Sequence, residues 1–152
     1  MKKTETAKEY LNQYKYAAMR WRDKKEELMM EMEKRGISSR GQEADKVQST
    51  PKKDKLERVA IEIVTLEREV ELEEKTMKQI EKDIRGTIEL VENWRLRRIL
   101  LWRYIYDKDW KTIAHSIDRD YKYTVNELHP KALVAIMNAK TVRNSTKQYG
   151  TV

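Results

Sequence analysis

Residues 98–133, RILLWRYIYDKDWKTIAHSIDRDYKYTVNELHPKAL, hold the pattern that decides the fold of the C-terminal third of this chain. They predict three short helices: an arginine-bearing one at 95–106, a compact one at 109–117 and a third from about Tyr121 onward. One face of the second helix is apolar: Trp110, Ile113, Ala114 and Ile117. Beyond a polar turn, apolar residues again recur at steps of three and four: Val125, Leu128, Ala132 and Leu133. Two such helices, joined by a tight turn and braced by a third, have the outline of a helix-turn-helix.

The turn between the second and third helices departs from the usual spacing of this motif. A typical helix-turn-helix has a small residue in its first helix, a glycine four residues later and a valine or isoleucine six beyond that. Ala114 fits the first position, Asp118 replaces the glycine, and Val125 comes one residue late. We interpret the delay as an insertion of one residue within 118–121. Asp118 is expected in the left-handed conformation, which aspartate adopts at a higher cost than glycine, and Asp120 is expected to cap the third helix.

Pro130 lies inside the predicted third helix. Proline lacks a backbone N–H, and its ring can kink the interior of a helix. We therefore expect the helix to bend or break near His129, which would put contacts by later residues in question.

The ordered combination of these motifs resembles the region-4 helix-turn-helix of sigma-70-like factors. The matching residues are Leu100-x-x-Arg103-Tyr104, Trp110-x-x-Ile113-Ala114 and Thr124-Val125-x-x-Leu128-His129-x-x-Ala132-Leu133. The chain is most similar to small bacteriophage and prophage proteins grouped with late-gene transcription regulators, whose likeness extends upstream through residues 45–51 and covers roughly residues 10–133. The resemblance implies binding to duplex DNA in the cytoplasm of a bacterial host cell, with RNA polymerase as a further partner.

Charge is distributed unevenly along the 152 residues. Residues 1–94 carry 21 basic and 21 acidic side chains, whereas residues 95–152 carry 12 basic and 5 acidic ones, so the net charge of +7 arises in the C-terminal part. A basic segment that coincides with a predicted helix-turn-helix favours a nucleic-acid partner. The alternative is a basic tail that is merely solvated.

Composition excludes several classes of function. Charged and hydrophobic residues each make up 39% of a chain with four glycines and two prolines, which predicts an all-α fold of long helices. Cysteine is absent and the two histidines are far apart in the sequence, so we expect no metal and no cofactor. Phosphate-binding loops and nucleophile elbows are missing, so we expect neither an enzyme nor a small-molecule substrate. No apolar run could span a membrane and no signal peptide is recognisable, so we expect a cytoplasmic protein.

Residues 1–92 predict a long antiparallel helical hairpin or coiled coil. The first helix is expected at about 4–34, with Thr4 as its cap and Gly36 at its end, and a polar loop is expected at 36–50. The second is expected at 51–92, begun by Thr50 and Pro51. Its apolar residues form one seam at heptad spacing: Leu56, Val59, Ile63, Leu66, Val70, Met77, Ile80, Ile84 and Val91.

This seam bears on assembly. Glu73 and Thr87 interrupt it, and isolated polar residues in a seam can set register or the number of partners. Gly86 lowers the stability of the helix by about 1 kcal/mol relative to alanine, and we expect the second helix to bend there, toward the C-terminal domain. The first helix is shorter than the second, so a hairpin within one chain would leave part of the seam uncovered. We therefore expect a homodimer or a higher oligomer.

We predict a domain at 93–138, which begins with Asn93 as a helix cap and is followed by a basic tail at 139–152. This domain would contact DNA through the outward side of its third helix and the turn before it. The predicted contact residues are Lys108, Lys111, Arg119, Lys122, Tyr123, Thr124, Asn126, Glu127, His129 and Lys131. Asn126 can read adenine and Glu127 can accept from cytosine. The cationic side chains are expected on phosphates.

Two other functions fit the same sequence. One is a coiled-coil adaptor or inhibitor that binds a protein surface without touching DNA, and the other is a small DNA-packaging recognition subunit. Seven of the twelve aromatic residues lie between Trp94 and Tyr123, and aromatic side chains among basic ones can stack on single-stranded bases. Trp102, Tyr104 and Trp110 are nevertheless interpreted as core, because so small a domain needs large side chains.

Overall fold

The structure, a computed structural model, describes residues 2–36 and 53–149, and over these residues the fold is all-α, as predicted. The α-helices are α1 (Lys2–Lys34), α2 (Lys53–Glu89), α3 (Trp94–Leu100), α4 (Trp110–Ser116), α5 (Tyr121–Tyr123) and α6 (His129–Tyr149). A π-helical turn, Leu101–Ile105, extends α3, and a second one, Thr124–Leu128, joins α5 directly to α6. We refer to the resulting continuous helix at 121–149 as the C-terminal helix. None of the described helices is long and apolar enough to cross a membrane.

The chain divides into two compact units. The C-terminal unit comprises Met1–Tyr16 and Lys78–Val152, and the hairpin unit comprises Ala17–Met77. The expected boundary at 92/93 is therefore replaced by one at 77/78, and the first sixteen residues join the C-terminal unit. The reason lies in its core, where Ala7, Tyr10 and Leu11 of α1 are buried together with residues of α2, α3, α4 and α6.

In the hairpin unit α1 and α2 run antiparallel. Lys24 Nζ lies 3.0 Å from Glu69 Oε2, Arg20 lies 3.6 Å from Glu73, and Arg35 pairs with Glu62, so partner numbers fall along α2 as they rise along α1. Glu73, the polar residue expected to interrupt the seam, is the partner of Arg20 across the hairpin.

The predicted seam is only partly covered within one chain. Ile63 and Met77 are buried, and Ile84 is buried in the C-terminal unit. Leu56 is 53% exposed, and the remaining helical positions are half-buried: Val59, Leu66, Val70 and Ile80. Val91 is buried but lies outside the seam, because α2 ends at Glu89 instead of residue 92.

The ends of the helices were predicted with mixed success. Asn93 caps α3, since its Oδ1 accepts from the N–H groups of Arg95 and Leu96, and Gly36 follows α1 with a φ of +71°, both as expected. Thr4 does not cap α1, because that helix already begins at Lys2. Thr50 and Pro51, like most of the predicted loop at 36–50, lie outside the described residues.

The described part of the predicted basic tail at 139–152 is helical, since α6 continues to Tyr149. Arg143 holds this extension in place: its Nη1 donates to the carbonyl oxygen of Asp83, to Asp83 Oδ1 and to Thr87 Oγ1, at 2.5, 3.1 and 2.8 Å. Tyr10 meets the same pair, with its hydroxyl 2.8 Å from Asp83 Oδ2 and 2.9 Å from Thr87 Oγ1. Gly86 permits this approach, since a Cβ there would lie 3.1–3.3 Å from the Arg143 guanidinium.

Candidate nucleic-acid interface

Helix α4 is fixed at its N-terminus by Asp109 and on its inner face by apolar residues. Asp109 Oδ1 accepts from the Thr112 N–H at 2.7 Å, and hydrogen bonds from the Thr112 backbone and side chain lower the pKa of the Asp109 carboxyl. Ile113 and Ala114 are buried, and Trp110 packs half-buried against the core. The inner face is therefore the predicted one.

The turn after α4 takes the predicted left-handed form. Asp118 has a φ of +55° at the position where glycine is usual. The Asp118 N–H donates to the His115 carbonyl at 3.2 Å and the Arg119 N–H to the Ala114 carbonyl at 3.1 Å, the bond pair of a Schellman motif. Asp120 then caps α5, as expected, by accepting from the Tyr123 N–H.

Thr124 is a correction to the predicted contact set, because its side chain is fully buried. Its hydroxyl donates to the Asp120 carbonyl at 2.8 Å and so has a partner inside the protein. Thr124 lies ten residues after Ala114, the usual spacing of the motif, whereas Val125 is half-buried. The expected insertion at 118–121 is therefore wrong, and the extra residue is taken up by the π turn that begins at Thr124.

The π turn also changes what Pro130 does. In this turn the His129 N–H donates to the Thr124 carbonyl, five residues back. The wider turn directly precedes Pro130, which has no N–H to give. The expected break at His129 does not occur, since the helix continues through α6. Exposed residues on both sides of Pro130 thus belong to one helix.

His129 is a second correction, because it faces other side chains of the C-terminal unit. Its Nε2 lies 2.7 Å from the Tyr104 hydroxyl, and its ring centroid is 5.9 Å from that of Tyr104 and 4.6 Å from that of Trp110. Burial, with smaller contributions from the charges of Lys8 and Arg103, lowers the pKa of His129 to about 4. A neutral, stacked imidazole is a structural group, so we remove it from the contact set.

The other eight predicted contact residues all have exposed side chains: Lys108, Lys111, Arg119, Lys122, Tyr123, Asn126, Glu127 and Lys131. On the C-terminal helix, Lys122 and Asn126 are exposed while Thr124 and Leu128 are buried. The sequence pattern thus separated outward from inward residues there, except at Thr124 and His129.

All three arginines of α3 donate to backbone carbonyls and so brace the fold, a role that the sequence pattern did not predict. Arg95 Nε donates to the Ile117 carbonyl at 3.0 Å and Arg98 Nη1 to the Ser116 carbonyl at 2.8 Å, so both hold the C-terminal end of α4. Arg97 Nη1 donates to the Val91 carbonyl at 2.8 Å. The spacing of Arg95 and Arg98, one helical turn apart, is the signal that could have revealed this role.

Acidic side chains lie among the exposed cations of this region. The five lysines and arginines of the contact set are accompanied by five carboxylates: Asp107, Asp109, Asp118, Asp120 and Glu127. Asp109 and Asp120 lie at helix N-termini, where the partial positive charge of the backbone offsets them. Among residues 2–36 and 53–149 there is no cluster of three or more side chains that could hold a metal ion.

Comparison of the chain with protein-family models, with curated proteins and with solved structures finds no match.

Proposed function

We propose that this chain is a phage-type transcription regulator that reads duplex DNA with its C-terminal helix. One observation supports it most: Lys122 and Asn126 are exposed beside buried Thr124 and Leu128, on a helix that follows α4 through a left-handed turn. A helix-turn-helix likewise presents the outward residues of its second helix to the major groove.

The exposed side chains divide into base and phosphate contacts. Asn126 offers the paired donor and acceptor that adenine requires, and Glu127 can accept from cytosine. Arg119 and Lys122 supply positive charge for phosphates near the turn, and Lys131 supplies it nine residues after Lys122, about two helical turns further along. The hairpin unit would oligomerise the protein or dock it on a partner such as RNA polymerase, with the bacterial cytoplasm as the compartment.

The test is a selection of bound sequences from random duplexes, followed by fluorescence anisotropy on the selected site. Lys122→Ala with Asn126→Ala is expected to weaken binding at least about tenfold, because it removes the base contact of Asn126, which contributes about 1–3 kcal/mol, together with the phosphate contact of Lys122. Loss of Lys122 should also reduce the slope of log affinity against log salt by about 0.9. Lys75→Ala with Gln79→Ala is the matched control, since these exposed residues have the same spacing on α2. Equal effects of the two double variants, or no selected site, would refute the proposal.

A second function, protein binding without DNA, is favoured by the charges. Carboxylates equal the cations of the contact set in number, and Arg95, Arg97 and Arg98 hold backbone carbonyls. An adaptor or inhibitor of this kind would keep its partner in the Lys122/Asn126 double variant and would bind no duplex in the selection.

A further inference from the structure

A cleft of about 360 Å³ lies where the end of α2 meets α3, within the C-terminal unit. Its walls carry two tryptophans, Trp94 and Trp102, and three arginines, Arg85, Arg97 and Arg98, with Glu89 as the carboxylate on its lining. A cleft of this volume is within the range of small-molecule sites. None of these residues belongs to the contact set proposed for duplex DNA.

One arginine of the cleft, Arg98, lies over the rings of both tryptophans. The Arg98 guanidinium carbon is 5.2 Å from the ring centroid of Trp94 and 5.4 Å from that of Trp102. A guanidinium is planar, and its N–H groups form a fork that can meet two oxygens of a phosphate or carboxylate. Arg98 uses one N–H group, on Nη1, for the Ser116 carbonyl.

The charge of the cleft selects an anion. The charge of Arg85 is offset by Glu81 at 3.1 Å. The net charge of the cleft therefore depends on Arg97 and Arg98, which are positive, and on Glu89, which is negative. Arg97 and Arg98 donate to neutral carbonyl oxygens, and their charges are therefore not cancelled by those bonds. One excess positive charge remains for a ligand.

The ring of Trp94 indicates that the ligand has an aromatic group in addition to its negative charge. Trp94 is 43% exposed, with the guanidinium carbons of Arg95 and Arg98 at 4.6 and 5.2 Å from its ring centroid, whereas Trp102 is half-buried against the core. An exposed indole beside arginines can stack a nucleobase while the arginines take its phosphate. We infer that the cleft binds one unpaired nucleotide of a single-stranded nucleic acid, with the base on Trp94 and the phosphate on Arg97 and Arg98. The inference rests on the proposed nucleic-acid partner but requires an unpaired strand in place of a duplex.

The experiment measures the affinity of the full chain for labelled (dT)12 by fluorescence anisotropy. Trp94→Ala is expected to weaken binding roughly 5- to 150-fold, the effect of losing one base–aromatic stack. Trp94→Tyr should restore most of it, because a ring remains. Tyr16→Ala removes an aromatic side chain of similar exposure far along the sequence and is the matched control. For the charge, Arg97→Gln should weaken binding and Arg22→Gln, at an exposed position of α1, should not.

The outcomes separate this site from the duplex interface. The inference holds if Trp94→Ala impairs (dT)12 binding and leaves duplex binding unchanged, whatever Lys122→Ala with Asn126→Ala does to the duplex. It is overturned if Trp94→Ala binds (dT)12 like the unsubstituted chain while circular dichroism shows the native helix content. It is equally overturned if the unsubstituted chain does not bind (dT)12. Binding of a glutamate-rich tyrosine-containing peptide through Trp94 would then identify the occupant as an acidic protein segment.

Discussion

The two compact units differ in how completely they bury apolar side chains. Every large side chain found less than 2% exposed in the described residues belongs to the C-terminal unit, including Ile99, Ile117 and Ile136. In the hairpin unit the buried residues are small or marginal, and Ile61 and Leu72 are each 65% exposed. The C-terminal unit therefore has a core of its own that can fix the orientation of exposed residues. The hairpin unit consists of two helices that leave large apolar side chains exposed.

The largest expected effect comes from the core of the C-terminal unit. Ile117→Ala should lower the free energy of unfolding by about 2–5 kcal/mol, because Ile117 is fully buried and its loss leaves a cavity. Ile61→Ala, in the hairpin unit, should change it by less than about 0.5 kcal/mol. Chemical denaturation followed by circular dichroism measures both. Similar losses in the two variants would show that burial in one chain does not distinguish the units.

The next effect contrasts two arginines that reach α2. Arg143→Ala should cost about 1–3 kcal/mol, because it removes charged hydrogen bonds to Asp83 and leaves the buried Thr87 with fewer partners. Arg20→Ala should cost less than about 1 kcal/mol, since the Arg20–Glu73 pair is 3.6 Å apart and Arg20 is 54% exposed. Thermal unfolding of the two variants decides this. If Arg143→Ala melts like the unsubstituted chain, α6 does not depend on that anchor.

The same contrast explains which features could be read from the sequence. The all-α class follows from the scarcity of breakers, and the Asn93 and Asp120 caps follow from local chemistry, since a cap needs only its own turn. The left-handed Asp118 was predicted for the same reason.

Other features depend on packing between distant parts of the chain and could not be read locally. Thr124 is inward because a π turn shifts the register of the C-terminal helix, and a period of 3.6 residues cannot anticipate such a shift. The extension of α6 beyond residue 138 depends on Arg143 meeting Asp83, sixty residues away, with Gly86 leaving room. Tyr10 joins the C-terminal core in the same way, from the other end of the sequence.

His129 makes the stability of the C-terminal unit depend on pH. Its pKa is about 4 in the folded chain and about 6.5 in an unfolded one, so the unfolded state binds the proton more readily between these values. The contribution of neutral His129 to the free energy of unfolding is complete above about pH 6.5 and is lost as the pH falls toward 4. The expected loss is roughly 2 kcal/mol, less than the full shift implies because the ring is partly solvated.

Denaturation of the unsubstituted chain and of His129→Gln, at pH 7 and at pH 4.5, measures this contribution. The glutamine variant is expected to lose less stability on acidification. His115→Gln, which removes the exposed histidine, is the control. If His115→Gln reduces the acid sensitivity and His129→Gln does not, the buried ring is not its source.

The smallest effects concern two residues with positive φ that follow helices, Gly36 in the hairpin unit and Asp118 in the C-terminal unit. Gly36→Ala should cost about 1 kcal/mol through backbone strain alone, because an added Cβ would meet nothing within 4 Å. Asp118→Gly should stabilise the C-terminal unit by up to about 1 kcal/mol, since glycine adopts a φ of +55° without the strain that aspartate accepts. The free energies of unfolding show whether Gly36→Ala destabilises the chain and whether Asp118→Gly stabilises it. The affinity for duplex DNA shows whether Asp118→Gly keeps the angle between α4 and the C-terminal helix. A stabilised variant with unchanged affinity means that aspartate contributes nothing to recognition. A stabilised variant that binds duplex more weakly means that the strain at Asp118 holds Arg119 and Lys122 in position.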